Sequence, residues 1–266
     1  MRREDAPEYV ATNVYISSDY RMCESYWECF ASLFYMHNCF WDSWTAIFAI
    51  VHVIALHVAV RLCTGVFEGP AEDAVVFTAF MLVGLLHSPA SAAYHIVGCA
   101  GKSRADFVLT QRADFLMIHW SSVPLSFALG YYVFYDDPGF LLLSVGGTLL
   151  CAVYASATIA REFTPSVRLR QVASLVFFYL LPVFYQTTVD LVAGEPFHPS
   201  VLAACGVILA LAWGAFTYGT QWPECRWPDL AFGSHSWMHV GVNVAYASEF
   251  IFVYVNYVRV MREREL

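Results

Sequence analysis

Seven apolar runs of about 20 residues, set apart by short polar breaks, dominate the chain near 41–62, 74–97, 113–135, 139–160, 169–192, 199–219 and 234–258. Each is long enough to cross a hydrocarbon core about 30 Å thick, and a run of that length predicts a helix. The third and fourth runs are divided by Asp136-Asp137-Pro138, since two acids and a proline do not continue a lipid-facing helix. Ahead of the first run, residues 1–24 form a polar arm. Residues 25–40 then mix Tyr26, Trp27, Phe30, Leu33, Phe34 and Phe40 with Glu24, Glu28 and His37 at its edges and within it, a pattern that suits a helix lying in the membrane interface. The predicted fold is all-α, a seven-transmembrane-helix bundle. Residues 1–40 are its N-terminal arm and interfacial helix, 41–258 its membrane domain, and 259–266 a short tail.

Composition agrees. Of 266 residues 59% are hydrophobic and only 14% charged, where a soluble domain carries nearer a quarter charged residues. The polar N-terminus lacks the apolar core of a signal peptide, so the first span is expected to direct insertion. Lysine and arginine set the orientation. Arg61, Arg259, Arg262 and Arg264 fall on one side of the expected topology, and the other ten of the 14 basic residues fall on the opposite side with the N-terminus. That places the N-terminus in the cytosol. Cys23, Cys29, Cys39 and Cys225 then face a reducing compartment, and Cys63, Cys99, Cys151 and Cys205 lie in or beside apolar spans, which argues against a disulfide framework. A net charge of -8 argues against nucleic acid as a partner.

The candidate chemistry starts at Gly233-Ser234-His235-Ser236-Trp237-Met238-His239, where two imidazoles four residues apart share one helix face. A metal site needs a third ligand. The second span ends with His87, Ser91 and His95 at intervals of four, a polar stripe that could equally be a helix–helix contact. The third span opens with Asp114, an acid whose depth calls for a partner. His52, His57, His119 and Ser121-Ser122 read as packing residues bonded to neighbouring helices, and Asp190 has no role in the pattern. Alternating span directions bring His95, Asp114 and His235 to one membrane side. Three histidines, His95, His235 and His239, with water in the fourth position make the ligand set of a catalytic zinc. Asp114 could take a proton from the activated water, and Ser91 could support a ligand imidazole or donate to an oxyanion. The reaction class is attack of water on a carbonyl in an apolar cavity that admits a lipid acyl chain.

The same residues carry a resemblance. Tyr20-Arg21, Trp27-Glu28-Cys29, Ser32-Leu33-Phe34, His37-Asn38 and Trp44-Thr45 are similar to the N-terminal signature of the progestin and adipoQ receptor family, which includes the hemolysin III proteins. Ser91-Ala92-Ala93-Tyr94-His95, Arg112-Ala113-Asp114-Phe115, and Pro223-Glu224-Cys225-Arg226-Trp227-Pro228 through to His239 resemble its later motifs in order, so the likeness covers residues 20–258. Cys39 and Asp42 stand where the pattern has Glu and Asn, Ala46 where it has a second His, and Ser236 where it has Gln. None of the four is a proposed ligand. The resemblance implies seven helices with a cytosolic N-terminus, zinc on His95, His235 and His239, Asp114 and Ser91 beside the metal, and receptor or ceramidase-like activity.

The expected function is therefore a zinc-dependent lipid amide hydrolase, ceramidase-like, with or without a receptor role toward a lipid or hormone ligand. Its rival is a seven-helix receptor with a purely structural zinc and no turnover, and a channel stands third. Localisation is expected in the plasma membrane or an endomembrane. Arg264-Glu265-Leu266 carries no retention signal.

Overall fold

In the computed structural model, which describes residues 1–161 and 163–264, every regular element is helical and no strand occurs among the described residues. A short helix α1 (Tyr26–Ala31) is followed by α2 (Phe40–Cys63), α3 (Ala71–Ile96), α4 (Arg104–Tyr131), α5 (Pro138–Thr158), α6 (Pro165–Tyr179), α7 (Leu181–Val192), α8 (Pro199–Thr220) and α9 (Ser234–Arg264). Five helices, α2, α3, α5, α8 and α9, are long and apolar enough to cross a membrane. A sixth candidate is the pair α6 and α7, bent by 46°. The bend falls at Leu180, just ahead of Pro182, whose missing N–H and ring cannot continue the α6 ladder. Outward-facing side chains on these helices include Leu62, Leu142, Leu150 and Leu209, as expected where the solvent is hydrocarbon.

The α4 helix covers the third predicted span but is less apolar than the others. It begins at Arg104, nine residues before the expected 113. Ser103 and Asp106 cap it reciprocally: the Ser103 Oγ accepts from the Asp106 N–H at 3.0 Å and donates to the Asp106 carboxylate at 2.7 Å. The α9 helix also outruns its prediction, continuing through Arg259 to Arg264, with Arg262 and Arg264 in its last turn where cations favour the helix dipole. Glu265 and Leu266, the end of the predicted tail, lie outside the described residues.

The predicted interfacial segment is α1 with a following 3-10 turn, Ser32–Phe34. Ser25 caps α1 by accepting from the Glu28 N–H. Cys29 of α1 and Ser32 of the turn are buried, while Trp27 of α1 and Phe34 of the turn stand out, 78% and 83% exposed.

The chain forms two compact units. One comprises Met1–His52, His87–Phe115 and Ala210–Asn243. Its cores are small: Cys23, Cys29, Ala46, Ala92, Ile96 and Ala100 in one, and Val10, Tyr20 and Phe107 in another. Gly241 lets two of its helices approach closely, because a Cβ there would lie 2.7 Å from the Ala210 carbonyl oxygen. The other unit comprises Val53–Leu86, Leu116–Leu209 and the chain from Val244 onward. Aromatic pairs fill it, with Phe80 stacked on Tyr246 at 4.5 Å between centroids and Phe77 edge-on to Tyr257 at 5.5 Å. There too Asp190 finds its partners: Gln186 donates to it at 2.9 Å, Arg259 at 2.8 Å, and Ser200 also donates.

Candidate metal centre

All the expected ligands belong to the first unit, and each is held by a different local device. His95 sits on the last turn of α3, where the terminal carbonyls lack intrahelical partners. The buried Arg21 guanidinium supplies them, donating to the His95 carbonyl and, at 3.1 Å, to that of Ile96. The same group donates to the Ser32 hydroxyl, tying the N-terminal arm to the ligand-bearing turn. At the other end of the site, α9 begins at Ser234 with unpaired N–H groups pointing back along the chain. Glu224, 1% exposed, caps them: it accepts from the Ser234 N–H at 2.7 Å, from the Ser234 hydroxyl, and from the Asn13 amide at 2.9 Å. A carboxylate at a helix N-terminus also answers the positive end of the dipole. His235 follows directly, and His239 one turn later.

The three imidazoles converge. The Nε2 atoms of His95 and His235 are 3.1 Å apart, and a ligand nitrogen from each of the three rings lies within 4.8 Å of the others. Ring centroids are 4.7, 5.0 and 4.7 Å apart for His95–His235, His95–His239 and His235–His239. Two ligands on a tetrahedral ion with bonds near 2.0–2.1 Å would have nitrogens about 3.3 Å apart, so the spacing fits a first-row divalent metal. The donor set fits as well. Ring nitrogens that face one another with their lone pairs at this distance need an electrophile in common, and a cation would accept a lone pair from each.

Thr45 fixes the third ring. Its Oγ1 lies 2.7 Å from Nδ1 of His239 and 2.8 Å from the Trp41 carbonyl oxygen. With the hydroxyl proton directed at that carbonyl, Oγ1 accepts from an Nδ1–H, which leaves Nε2 of His239 unprotonated toward the cluster. Tyr218 packs edge-on to His235 at 5.6 Å, and Ser236 donates to the Asp42 carboxylate at 2.6 Å, tying α9 to the start of α2. Nδ1 of His95 is buried and has no hydrogen bond among the described residues.

The other candidates are placed as follows. Ser91 is buried on α3 one turn before His95. Asp114 stands against His87, with Oδ1 3.4 Å from the His87 Nε2, so the helical stripe His87–Ser91–His95 is met by an acid from α4. Among the described residues neither Asp114 nor Ser91 hydrogen-bonds to the three imidazoles. Outside the spans, burial, followed by the Arg21 charge, pushes His37 down to about 3. His37 is therefore neutral and accepts from the Cys39 N–H at 3.1 Å. Thr45, Asp42, Arg21 and Glu224 are the supporting residues that sequence reasoning did not assign. Three of them lie in the ordered motifs of residues 20–45 or 223–239, and Asp42 lies among those motifs at a departure from their pattern.

The Haemolysin-III related family model matches residues 34–250. No curated protein is detectably similar to the chain.

Proposed function

The chain belongs to the haemolysin-III related family, and from that premise we propose that it is a seven-span membrane hydrolase. In this reading His95, His235 and His239 hold one zinc ion, and the substrate is the amide bond of a ceramide-like lipid. The observation that carries it is the convergence of three imidazole nitrogens from α3 and α9. An ion held there supplies Lewis acidity toward a carbonyl and lowers the pKa of water to near neutrality. The protein's own residues do the rest. Asp114 accepts a proton and passes it to the leaving amine, with His87 at 3.4 Å holding its carboxylate in place. Ser91 donates its hydroxyl to the carbonyl oxygen as negative charge develops on it.

The seventh span is α4. Its polar side chains lower its hydropathy, yet Ser121, Ser122, Ser126 and His119 are buried within the protein rather than turned to lipid. A helix of 28 residues is about 42 Å long, ample for a crossing. Counting α4, and taking the α6–α7 pair as one span, is the reading under which the excess of basic residues favours a cytosolic N-terminus.

The test is fatty-acid release from ceramides by purified protein, with Asp114→Asn alongside. Retained metal with turnover reduced at least 100-fold is the expected result. Wild-type protein that binds metal fully and releases no fatty acid from any ceramide assigns the centre a structural role in a receptor instead.

A further inference from the structure

The first turns of α4 present a pair of cations at the edge of the apolar chain. Arg104 comes four residues after Ala100, where the stretch Ala71–Ala100, long and apolar enough to cross a membrane, ends. Arg112 follows eight residues later, about 12 Å along the helix and on the same face, with Val108 between the two. Arg104, Ala105, Val108, Leu109 and Arg112 together line an open groove of about 530 Å³. Its lining is cationic at both ends and apolar between them, and Leu109 is 68% exposed.

Nothing among the described residues neutralises these two charges. Neither guanidinium has a hydrogen bond or an ion pair there, and Nε of Arg112 is buried with no acceptor. Both acids of α4 are engaged elsewhere. Asp106 accepts from Ser103 at 2.7 Å, from Tyr26 at 3.1 Å and from Lys102 at 3.3 Å, and Asp114 stands 3.4 Å from His87. Lys102 shows the ordinary solution, since it pairs with Asp106 and also sits over the Tyr26 ring. A buried donor without an acceptor is uncommon and points to a partner from outside the chain. The chain as a whole carries a net charge of -8, so two uncompensated cations in one groove do not follow from its overall charge.

That partner is an anion with an apolar body. A guanidinium offers paired N–H donors that match phosphate oxygens two at a time, and two arginines exceed what a single carboxylate needs. Ala105, Val108 and Leu109 offer nothing to a free ion, whereas they suit the glycerol and first methylenes of a lipid. Basic groups beside a membrane-crossing segment attract anionic headgroups.

We propose that Arg104 and Arg112 bind the phosphate of an anionic phospholipid, whose glycerol and upper acyl chains lie along Ala105, Val108 and Leu109. The site is separate from the three histidines and stands whether or not they hold a metal. The probe is dioleoylphosphatidylglycerol, with zwitterionic dioleoylphosphatidylcholine as the control of equal chain length, titrated into detergent-purified full-length protein and followed by native mass spectrometry. Arg104→Gln and Arg112→Gln are each expected to weaken phosphatidylglycerol binding about five-fold, and the double variant about 30-fold. Phosphatidylcholine binds all of them alike. Arg226→Gln, which removes an exposed charge of the same unit outside the groove, stays within about two-fold of wild type. Unchanged phosphatidylglycerol affinity in the double variant overturns the proposal, as does an equal loss in Arg226→Gln, because the surface then attracts the lipid without a site. Displacement of the lipid by inorganic phosphate in equal amount also overturns it, since the groove then takes the free ion. Where the double variant elutes as aggregate, phenylglyoxal modification of wild-type protein decides. Phosphatidylglycerol must slow the reaction at Arg104 and Arg112 about five-fold and phosphatidylcholine must not; modification that phosphatidylglycerol leaves unchanged overturns the site.

Discussion

Replacing Thr45 by valine removes one hydroxyl and almost no volume, so it isolates the bond that orients His239. The Oγ1–Nδ1 distance is 2.7 Å, and the hydroxyl proton is already engaged by the Trp41 carbonyl. Loss of the bond leaves a buried Nδ1–H without an acceptor, at a cost of about 1–3 kcal/mol. A middle value of about 2 kcal/mol is about a 30-fold change in an equilibrium constant, inside the 10–100-fold range typical of partners that hold a metal-bound histidine. Zinc affinity measured by competition with a fluorescent chelator should therefore fall about 30-fold in Thr45→Val. Thr45→Ser, which keeps the oxygen, should stay within about three-fold of wild type. Wild-type affinity in the valine variant, or equal losses in both variants, would refute the claim that this hydroxyl selects the tautomer.

Other outcomes follow from the supporting residues. Glu224→Ala strips three donors of their acceptor at the start of α9 and should lower stability by about 3–5 kcal/mol. Glu224→Gln should lose about half as much, read from thermal melting in detergent. His37 gives a pH dependence. Its pKa in the fold, about 3, lies below the unfolded value of about 6.5, so its contribution is complete above pH 6.5 and is lost as pH falls. By pH 5 the loss is about 2 kcal/mol, and His37→Asn should remove that part of the acid sensitivity.

The spans were legible because a membrane helix announces itself by length and hydropathy alone, and those of α2, α3, α5 and α8 emerge within a few residues of their expected boundaries. Boundaries failed where helices leave the bilayer. The Ser103–Asp106 cap starts α4 among polar residues that read as a loop, and Arg259 and Arg264 read as a tail although they extend α9. The three histidines were legible because a spacing of four fixes two of them on one face and the alternation of span direction selects the third. Their supports were not. Thr45 meets His239 across 194 residues of sequence and Asn13 meets Glu224 across 211, and no local periodicity encodes such meetings. Asp190 was visible as an anomaly, but its partner Arg259 lay in a stretch read as tail.

The claim on which the rest depends is that His95, His235 and His239 share one divalent ion. Elemental analysis of protein purified without added metal and without histidine tags addresses it directly. The account predicts about one zinc per chain in wild type, and less than a tenth of that in each of His95→Ala, His235→Ala and His239→Ala. Metal at the wild-type level in the variant lacking all three imidazoles, or no metal in a correctly folded wild type supplied with zinc, would contradict it.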